Sequence, residues 1–176
     1  MDYQPNFTIS AAAISMVAEI SALIERYTIT QEADDSLKLR RANKIKTIQS
    51  TLAIEGNTLS LKQVTDIIDG KRVVAPLREI QEVKNAIAAY DLFSELDPFS
   101  VPDLLKAHNV MMTTLIEEPG KFRKGGVGVS DGKQVVHIAP PAALVPGQIK
   151  DLFHWLKSAP DHLLIKSCVF HYEFEF

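Results

Sequence analysis

Apolar residues recur at helical spacing along most of this 176-residue chain, and the spacing changes to a strand pattern only between Gly120 and Ile138. Apolar positions three and four residues apart line one face of a helix, whereas alternating positions line one face of a strand. The sequence therefore predicts a mainly α fold, a helical bundle that carries a single β-hairpin.

The hairpin prediction rests on Asp131 and Gly132, which separate two β-branched runs. These two residue types accept the positive φ angles of a tight turn and are among the strongest short-range hairpin signals. Pro140 and Pro141 end the second strand, because proline cannot donate to a strand ladder. The exposed edge of such a hairpin can recruit an extended peptide as an added strand, although a structural hairpin packed on the helices fits the pattern equally well.

Seven helices are predicted, five before this hairpin and two after it. Ser10 suits an N-cap, and the polar stretch Tyr27–Ser36 is predicted to connect the first two helices. The predicted helices cover residues 11–26, 36–55, 60–69, 78–96, 101–115, 145–158 and 161–176. The inner faces of the first two are expected to consist of Ala13, Val17, Ile20 and Ile24, and of Ile45, Ile48 and Leu52.

Composition limits the classes of function. A formal charge of −3 argues against a general attraction to nucleic acid or to an anionic membrane. The basic stretch 38–46 (Lys38, Arg40, Arg41, Lys44, Lys46) is interpreted as a solvated helix face. The lone Cys168 lies in an apolar run and is expected to be a buried, inert thiol in a reducing compartment. No signal peptide or membrane span is evident, so a cytoplasmic location is expected.

Glu55 is unusual because it falls at the end of the second predicted helix, where the helix dipole disfavours a carboxylate by about 0.3–1 kcal/mol. Its apolar neighbours Leu52 and Ile54 suggest at least partial burial, which would require a cationic partner. The alternative is a glutamate that points into water.

Other groups carry weaker signals. His171 and Glu175 share a helix face, but two ligands without a third make a poor metal site, so no metal ligand is assigned. His137 and His154 have no partner visible in the sequence. Phosphate-binding loops, dinucleotide fingerprints and paired-cysteine zinc sites do not occur.

Three segments in order resemble the Fic family. Thr51–Asn57 resembles its inhibitory motif: serine or threonine, three residues, glutamate, then glycine or asparagine. Pro119–Val129 followed by Val136–Pro141 resembles the Fic flap hairpin. Phe170–Phe176 is similar to the helix that leads into the Fic signature. The order of the three is more specific than any one of them. Thr58–Val64, which follows the inhibitory motif, resembles the continuation that is usual in the bacterial subgroup whose inhibitory helix precedes the core.

The resemblance implies a function for named residues. Glu55, with Thr51 and Gly56, would form the inhibitory motif at the end of a helix of about residues 36–55 within an N-terminal part, 1–57. The remainder, 58–176, would be an incomplete Fic core with a flap at about 120–140. Within the flap, Val135, Val136, His137 and Ile138 would align a segment of a target protein.

The family signature, His-Pro-Phe-x-(Asp/Glu)-Gly-Asn-Gly-Arg-x-x-Arg, does not occur in these 176 residues. We therefore expect a truncated, inactive portion of a protein adenylyltransferase, an enzyme that transfers AMP from ATP to a hydroxyl side chain with the help of Mg²⁺. Most groups that bind ATP and Mg²⁺ would lie outside this chain. The apolar last helix leaves dimerisation open. The alternative is a non-catalytic helical module that binds a partner through the hairpin edge.

Overall fold

The computed structural model describes residues 3–30, 33–130, 132 and 135–175, and it is predominantly helical, as predicted. The helices are α1 (Ala11–Thr30), α2 (Ala33–Ile54), α3 (Leu61–Ile68), α4 (Leu77–Leu92), α5 (Val101–Met112), α6 (Val145–Ser158) and α7 (Leu163–Glu175), with a 3₁₀ helix at Phe93–Glu95. Two strands, β1 (Gly128–Ser130) and β2 (Val135–Ile138), lie between α5 and α6.

Contacts divide the chain into two compact units. The hairpin unit comprises residues 1–29, 99–101 and 122–176, and the α2–α5 unit comprises residues 30–98 and 102–121. These limits do not coincide with residue 57, where the sequence predicts a division between an inhibitory part and a Fic-like core. That predicted division concerns function and stays a prediction.

The α2–α5 unit is built around one apolar cluster. Helix α2 contributes the three residues predicted for its inner face, and α4 contributes the fully buried Val83. The cluster consists of Ile45, Ile48, Leu52, Leu59, Val64, Val83 and Ala86. Because α2, α3 and α4 all pack on this cluster, burial of apolar surface holds the three helices in place.

The end of α5 is fastened to α4 by a buried amide. The side chain of Asn85 donates hydrogen bonds to the carbonyl oxygens of Met111 (2.9 Å) and Thr113 (2.8 Å). Thr114 then takes a left-handed conformation, with φ of 64°. This conformation ends the helix before Leu115, so the predicted extent of 101–115 is too long.

The hairpin unit packs α6 against α7 through aromatic rings and one buried lysine. Phe153 and Phe170 lie with their ring centroids 5.6 Å apart, and Phe7 of the N-terminal segment meets Trp155 edge to face at 6.1 Å. Lys166 of α7 is buried and donates hydrogen bonds to the carbonyl oxygens of Leu156 and Ala159. These carbonyls end α6, so the ammonium group caps that helix.

Strands β1 and β2 pair antiparallel and contain an irregularity. Val129 pairs with His137, whereas the next residue, Ser130, pairs with Val135, so Val136 is an extra residue in β2. An extra residue of this kind is a β-bulge, which bends the strand that carries it. Asp131 of the predicted turn lies outside the described residues, and Gly132 has φ of 88°.

The first two helices differ from the prediction. Helix α1 continues to Thr30 and α2 begins at Ala33, so most of the predicted connection 27–36 is helical.

The predicted inner face of α1 is only partly correct. Ala13 and Val17 are half-buried, but the exposed fractions of Ile20 and Ile24 are 42% and 56%. In the part of the chain that the structure describes, only the first half of this face is therefore shielded from solvent by other residues. None of the helices in the described ranges combines the length and the apolar character that crossing a bilayer requires.

Two isoleucines of α2 provide a matched test of the core. Ile48 is 1% exposed and Ile54 is 83% exposed. We expect Ile48→Ala to lower the free energy of unfolding by about 2–5 kcal/mol, because it leaves a cavity in the cluster. Ile54→Ala should change the free energy of unfolding by less than about 0.5 kcal/mol. Urea denaturation measures both, and equal losses would contradict this description of α2.

Candidate functional site

Helix α2 ends in a tight turn that presents Glu55. The N–H of Gly56 donates to the carbonyl of Ala53 (3.1 Å), and the N–H of Asn57 donates to the carbonyl of Leu52 (2.9 Å). Together with the φ of 90° at Gly56, these two bonds define a Schellman motif with Glu55 as the C-cap residue. A Cβ at position 56 would meet no atom within 4 Å, so the backbone angle, not crowding, favours glycine there.

Glu55 is exposed, so the expectation of partial burial is wrong. The reason is that Leu52 is the last residue of α2 in the apolar cluster, so Glu55, which follows the end of the helix at Ile54, lies beyond the buried face. Within the described ranges, no side chain forms a hydrogen bond or an ion pair with the Glu55 carboxylate. Thr51, the first residue of the predicted motif, is also exposed.

The sequence places Asn57 at the end of the predicted motif but gives it no role at the site. Its side chain is buried and donates to the carbonyl oxygen of Glu79 (3.1 Å) and to the carboxylate of Glu82 (2.9 Å), both on α4. Its amide oxygen accepts from the N–H of Leu59 (3.1 Å). An asparagine after a helix-ending glycine signals a turn, but the sequence could not show that its partners lie on another helix.

The approach to the hairpin depends on Gly120. This residue has φ of 75°, and a Cβ there would lie 2.8 Å from the Cβ of Asn109. Its N–H donates to Nδ1 of His108 (2.8 Å). Glycine is therefore required at this position of the predicted flap motif for both backbone angle and space.

Arg123 closes the base of the hairpin. Its guanidinium donates to the carbonyl oxygen of Gly125 (2.9 Å), before β1, and to that of Pro140, after β2. The N–H of Ala139 continues the ladder to the carbonyl of Val127 (3.0 Å). The four predicted flap residues, Val135–Ile138, make up β2, and Ile138 is 78% exposed.

A cavity of about 530 Å³ lies beside the hairpin base, within the hairpin unit. Its walls are mostly apolar and come from the exit of β2, from α6 and from the end of α7. Arg123, Glu173 and Glu175 are the charged residues that line it. The hydroxyl of Tyr3 donates to the carboxylate of Glu173 at one edge. Burial, followed by this contact with Glu173, raises the pKa of Tyr3 well above its usual range.

Two other sequence candidates, the basic stretch and Cys168, occupy ordinary positions. Of the basic stretch, Arg41 pairs with Asp69 and Lys44 pairs with Asp91. Lys71 and Arg41 hold the pKa of Asp69 below its usual value. Cys168 is exposed, which corrects the expectation of a buried thiol: α7 turns Lys166 and Phe170 inward, and position 168 lies on the other side.

His171 and Glu175 are both exposed on α7. Among the residues described, no group of three His, Cys, Asp or Glu side chains is arranged to hold a metal ion. These residues therefore do not form a metal cage by themselves.

Comparisons with known proteins agree with this architecture. A model of the Fic/DOC family matches residues 96–176. A Fic family protein from Desulfovibrio desulfuricans G20, known from a crystal structure, is 52% identical and superimposes with a TM-score of 0.91 over 99% of this chain. The chain is a member of the Fic/DOC family.

Two further matches come from Caenorhabditis elegans. The protein adenylyltransferase fic-1 is 29% identical over 157 residues, which is 84% of this chain. The structure of Fic-1 residues 134–508 superimposes with a TM-score of 0.74 at 24% identity over 93% of this chain, which shows a shared fold. This Fic chain spans 54% of the D. desulfuricans protein and 30% of the C. elegans adenylyltransferase.

The raised pKa of Tyr3 predicts a pH effect at this edge of the Fic chain. Because the folded state holds the phenolic proton more tightly than the unfolded state, the stabilisation is complete below the unfolded pKa of about 10 and is lost as pH rises above it. Absorbance titration should show a late step in which a tyrosine ionises well above its usual pKa of about 10. Tyr3→Phe should remove that late step, and a late step that survives in this variant would contradict the assignment.

Proposed function

We propose that these 176 residues form the N-terminal portion of a self-inhibited Fic-type protein adenylyltransferase. Such an enzyme transfers AMP from ATP to a hydroxyl side chain of a target protein. The proposal is supported by membership of the Fic/DOC family and by similarity to a relative named as a protein adenylyltransferase. The single observation that carries the inhibitory part is Glu55, which is exposed at a defined helix end and has no pairing partner among the described residues.

The turn after α2 suits an inhibitory glutamate. Its carboxylate projects from the negative end of a helix dipole and, among the residues described, has no cationic partner. A guanidinium brought to it would offset the unfavourable dipole and form charge-assisted hydrogen bonds. We propose that this guanidinium is the second arginine of the Fic signature, and that Glu55 then takes the space required by the γ-phosphate of ATP.

The groups for ATP and Mg²⁺ belong to the signature, which these 176 residues do not contain. The described residues contain no metal-binding cluster of their own. Mg²⁺, when bound with ATP, would neutralise charge on the phosphates. What this chain contributes is the position of Glu55 and the surface that receives the target.

The hairpin would receive the target protein. In the described part of the chain the sheet has two strands, so one edge of β2 is free of strand pairing there. We propose that a target segment adds to Val135–Ile138 as an extra strand and so brings its hydroxyl to the catalytic group. The bonds from Arg123 to Gly125 and Pro140 support this role, because they brace both ends of the hairpin.

Removing the Glu55 carboxylate tests the inhibitory role. In the enzyme that contains this segment, we expect Glu55→Gly to raise AMP transfer about tenfold or more, because an ion pair with charge-assisted hydrogen bonds contributes about 1.5–3 kcal/mol. The control is Glu117→Gly, which removes an exposed carboxylate from a loop of the same unit. Incorporation of labelled AMP measures both rates. An unchanged rate for Glu55→Gly, or an equal rise for Glu117→Gly, would remove Glu55 from this role.

The 176-residue polypeptide itself should transfer no AMP. It contains neither the histidine that would act as general base nor the signature arginines. Incubation with labelled ATP and Mg²⁺ should leave both the polypeptide and added proteins unlabelled. Label incorporation above a heat-denatured control would contradict the proposal and favour another catalytic centre.

A further inference from the structure

The polar side chain that fixes the end of α2 is Asn57, two residues after Glu55. It is 8% exposed and uses both ends of its amide group. The nitrogen donates to the Glu79 carbonyl and to the Glu82 carboxylate, and the oxygen accepts from the N–H of Leu59. A buried amide satisfied in this way tolerates few alternative positions, because moving it leaves polar groups unpaired.

Thr58, the residue after Asn57, makes a second contact with α4. The carboxylate of Glu79 accepts hydrogen bonds from the N–H of Thr58 (2.6 Å) and from its hydroxyl (2.8 Å). Glu79 is the third residue of α4, whose N-cap, Pro76, makes no side-chain capping bond. A carboxylate in the first turn of a helix is favoured by the dipole, so Glu79 suits both α4 and Thr58.

Within the part of the chain that the structure describes, the Glu55 carboxylate has no side-chain partner, yet Glu55 is joined to this cluster through Gly56. The Schellman bonds from Gly56 and Asn57 tie residues 52–57 into a single turn. The direction of the Glu55 side chain is therefore determined by the place where Asn57 is held. That place lies on α4, formed by Glu79 and Glu82.

We infer that Asn57, Glu79 and Glu82 form a latch that positions the inhibitory end of α2, and that release of this latch from the first two turns of α4 is a route to activation. The regulatory part of this inference rests on the proposed inhibitory role of Glu55. The part that concerns the position of the end of α2 rests only on the hydrogen bonds of Asn57. The three residues act through Glu55 and are positioning residues.

The positional part is tested with a nitroxide label at residue 55. The label is attached through Glu55→Cys in a Cys168→Ser background of the full 176-residue chain, since Cys168 is the only native cysteine. Asn57→Asp keeps the acceptor for Leu59 but replaces the donor to the Glu79 carbonyl and the Glu82 carboxylate with a carboxylate that repels both. We expect the mobile fraction of the label to rise about tenfold, which corresponds to roughly 1.4 kcal/mol.

Two further variants separate positioning from a general loss of stability. Ser60→Ala removes the capping box of α3, a nearby hydrogen-bond loss that does not touch α4, and should leave the label mobility unchanged. Adding Glu82→Gln to Asn57→Asp supplies a new donor on the α4 side, and should restore most of the immobile fraction. Thr58→Val serves as a second variant should Asn57→Asp prevent folding, because residue 58 is exposed. It removes the hydroxyl that donates to Glu79 and should increase the label mobility by a smaller amount.

The regulatory part is tested by rates in the enzyme that contains this segment. Asn57→Asp should raise kcat for AMP transfer with little change in KM for the target, and Glu82→Gln should reverse the rise. A merely structural role predicts a lower kcat. Unchanged label mobility in Asn57→Asp would overturn the latch whatever the rates. Raised mobility with unchanged rates in both Asn57→Asp and Glu55→Gly would instead overturn the inhibitory role of Glu55.

Discussion

The left-handed conformation of Gly56 is the constraint on which the candidate regulatory site depends. It ends α2, allows the two Schellman bonds, and reverses the chain so that Asn57 enters the interior while Glu55 stays outside. Residues with a Cβ populate this region at a cost of about 1–2 kcal/mol, so glycine is strongly favoured here. One backbone angle thus separates a buried amide from an exposed carboxylate two residues away.

The α2–α5 unit supports this turn with two kinds of interaction. The apolar cluster around Ile48 and Val83 holds α2 against α4 but is not directional. The hydrogen bonds of Asn57 add direction, because their donors and acceptors must align to remain paired in the interior. Burial therefore brings the helices together, and the polar contacts determine how the end of α2 is oriented. Surface ion pairs such as Arg41–Asp69 contribute little beside these.

In the hairpin unit, hydrogen bonds from charged side chains support the backbone. A two-stranded hairpin is marginally stable alone, so its ends need support. Arg123 provides this support by donating to carbonyl groups on both sides of the hairpin, and Lys166 caps α6 in a similar way. In both cases a cation satisfies backbone oxygens that the local secondary structure leaves without a partner. The strands are thereby held while the edge of β2 keeps its backbone groups for a target segment in the proposed function.

Local signals in the sequence were sufficient to predict the helices, the strand pair and the turn at Gly56, because helical spacing, Asp-Gly and helix-ending glycine act within a few residues. The exceptions have physical causes. Helix α1 extends into a polar stretch because polar residues are compatible with an exposed helix. Glu55 and Cys168 are exposed because burial follows the direction of a side chain and not the apolar character of its sequence neighbours.

The sequence by itself determined the mainly helical class, the order of the elements and the resemblance to the Fic family, since each depends on residue types at short spacing. Only the tertiary structure decided that Asn57 is bound by Glu79 and Glu82, that Arg123 braces the hairpin, and that Lys166 caps a neighbouring helix. Each of these contacts joins segments of the chain that are separated in the sequence. Its existence depends on how those segments pack, which no local pattern of residues specifies.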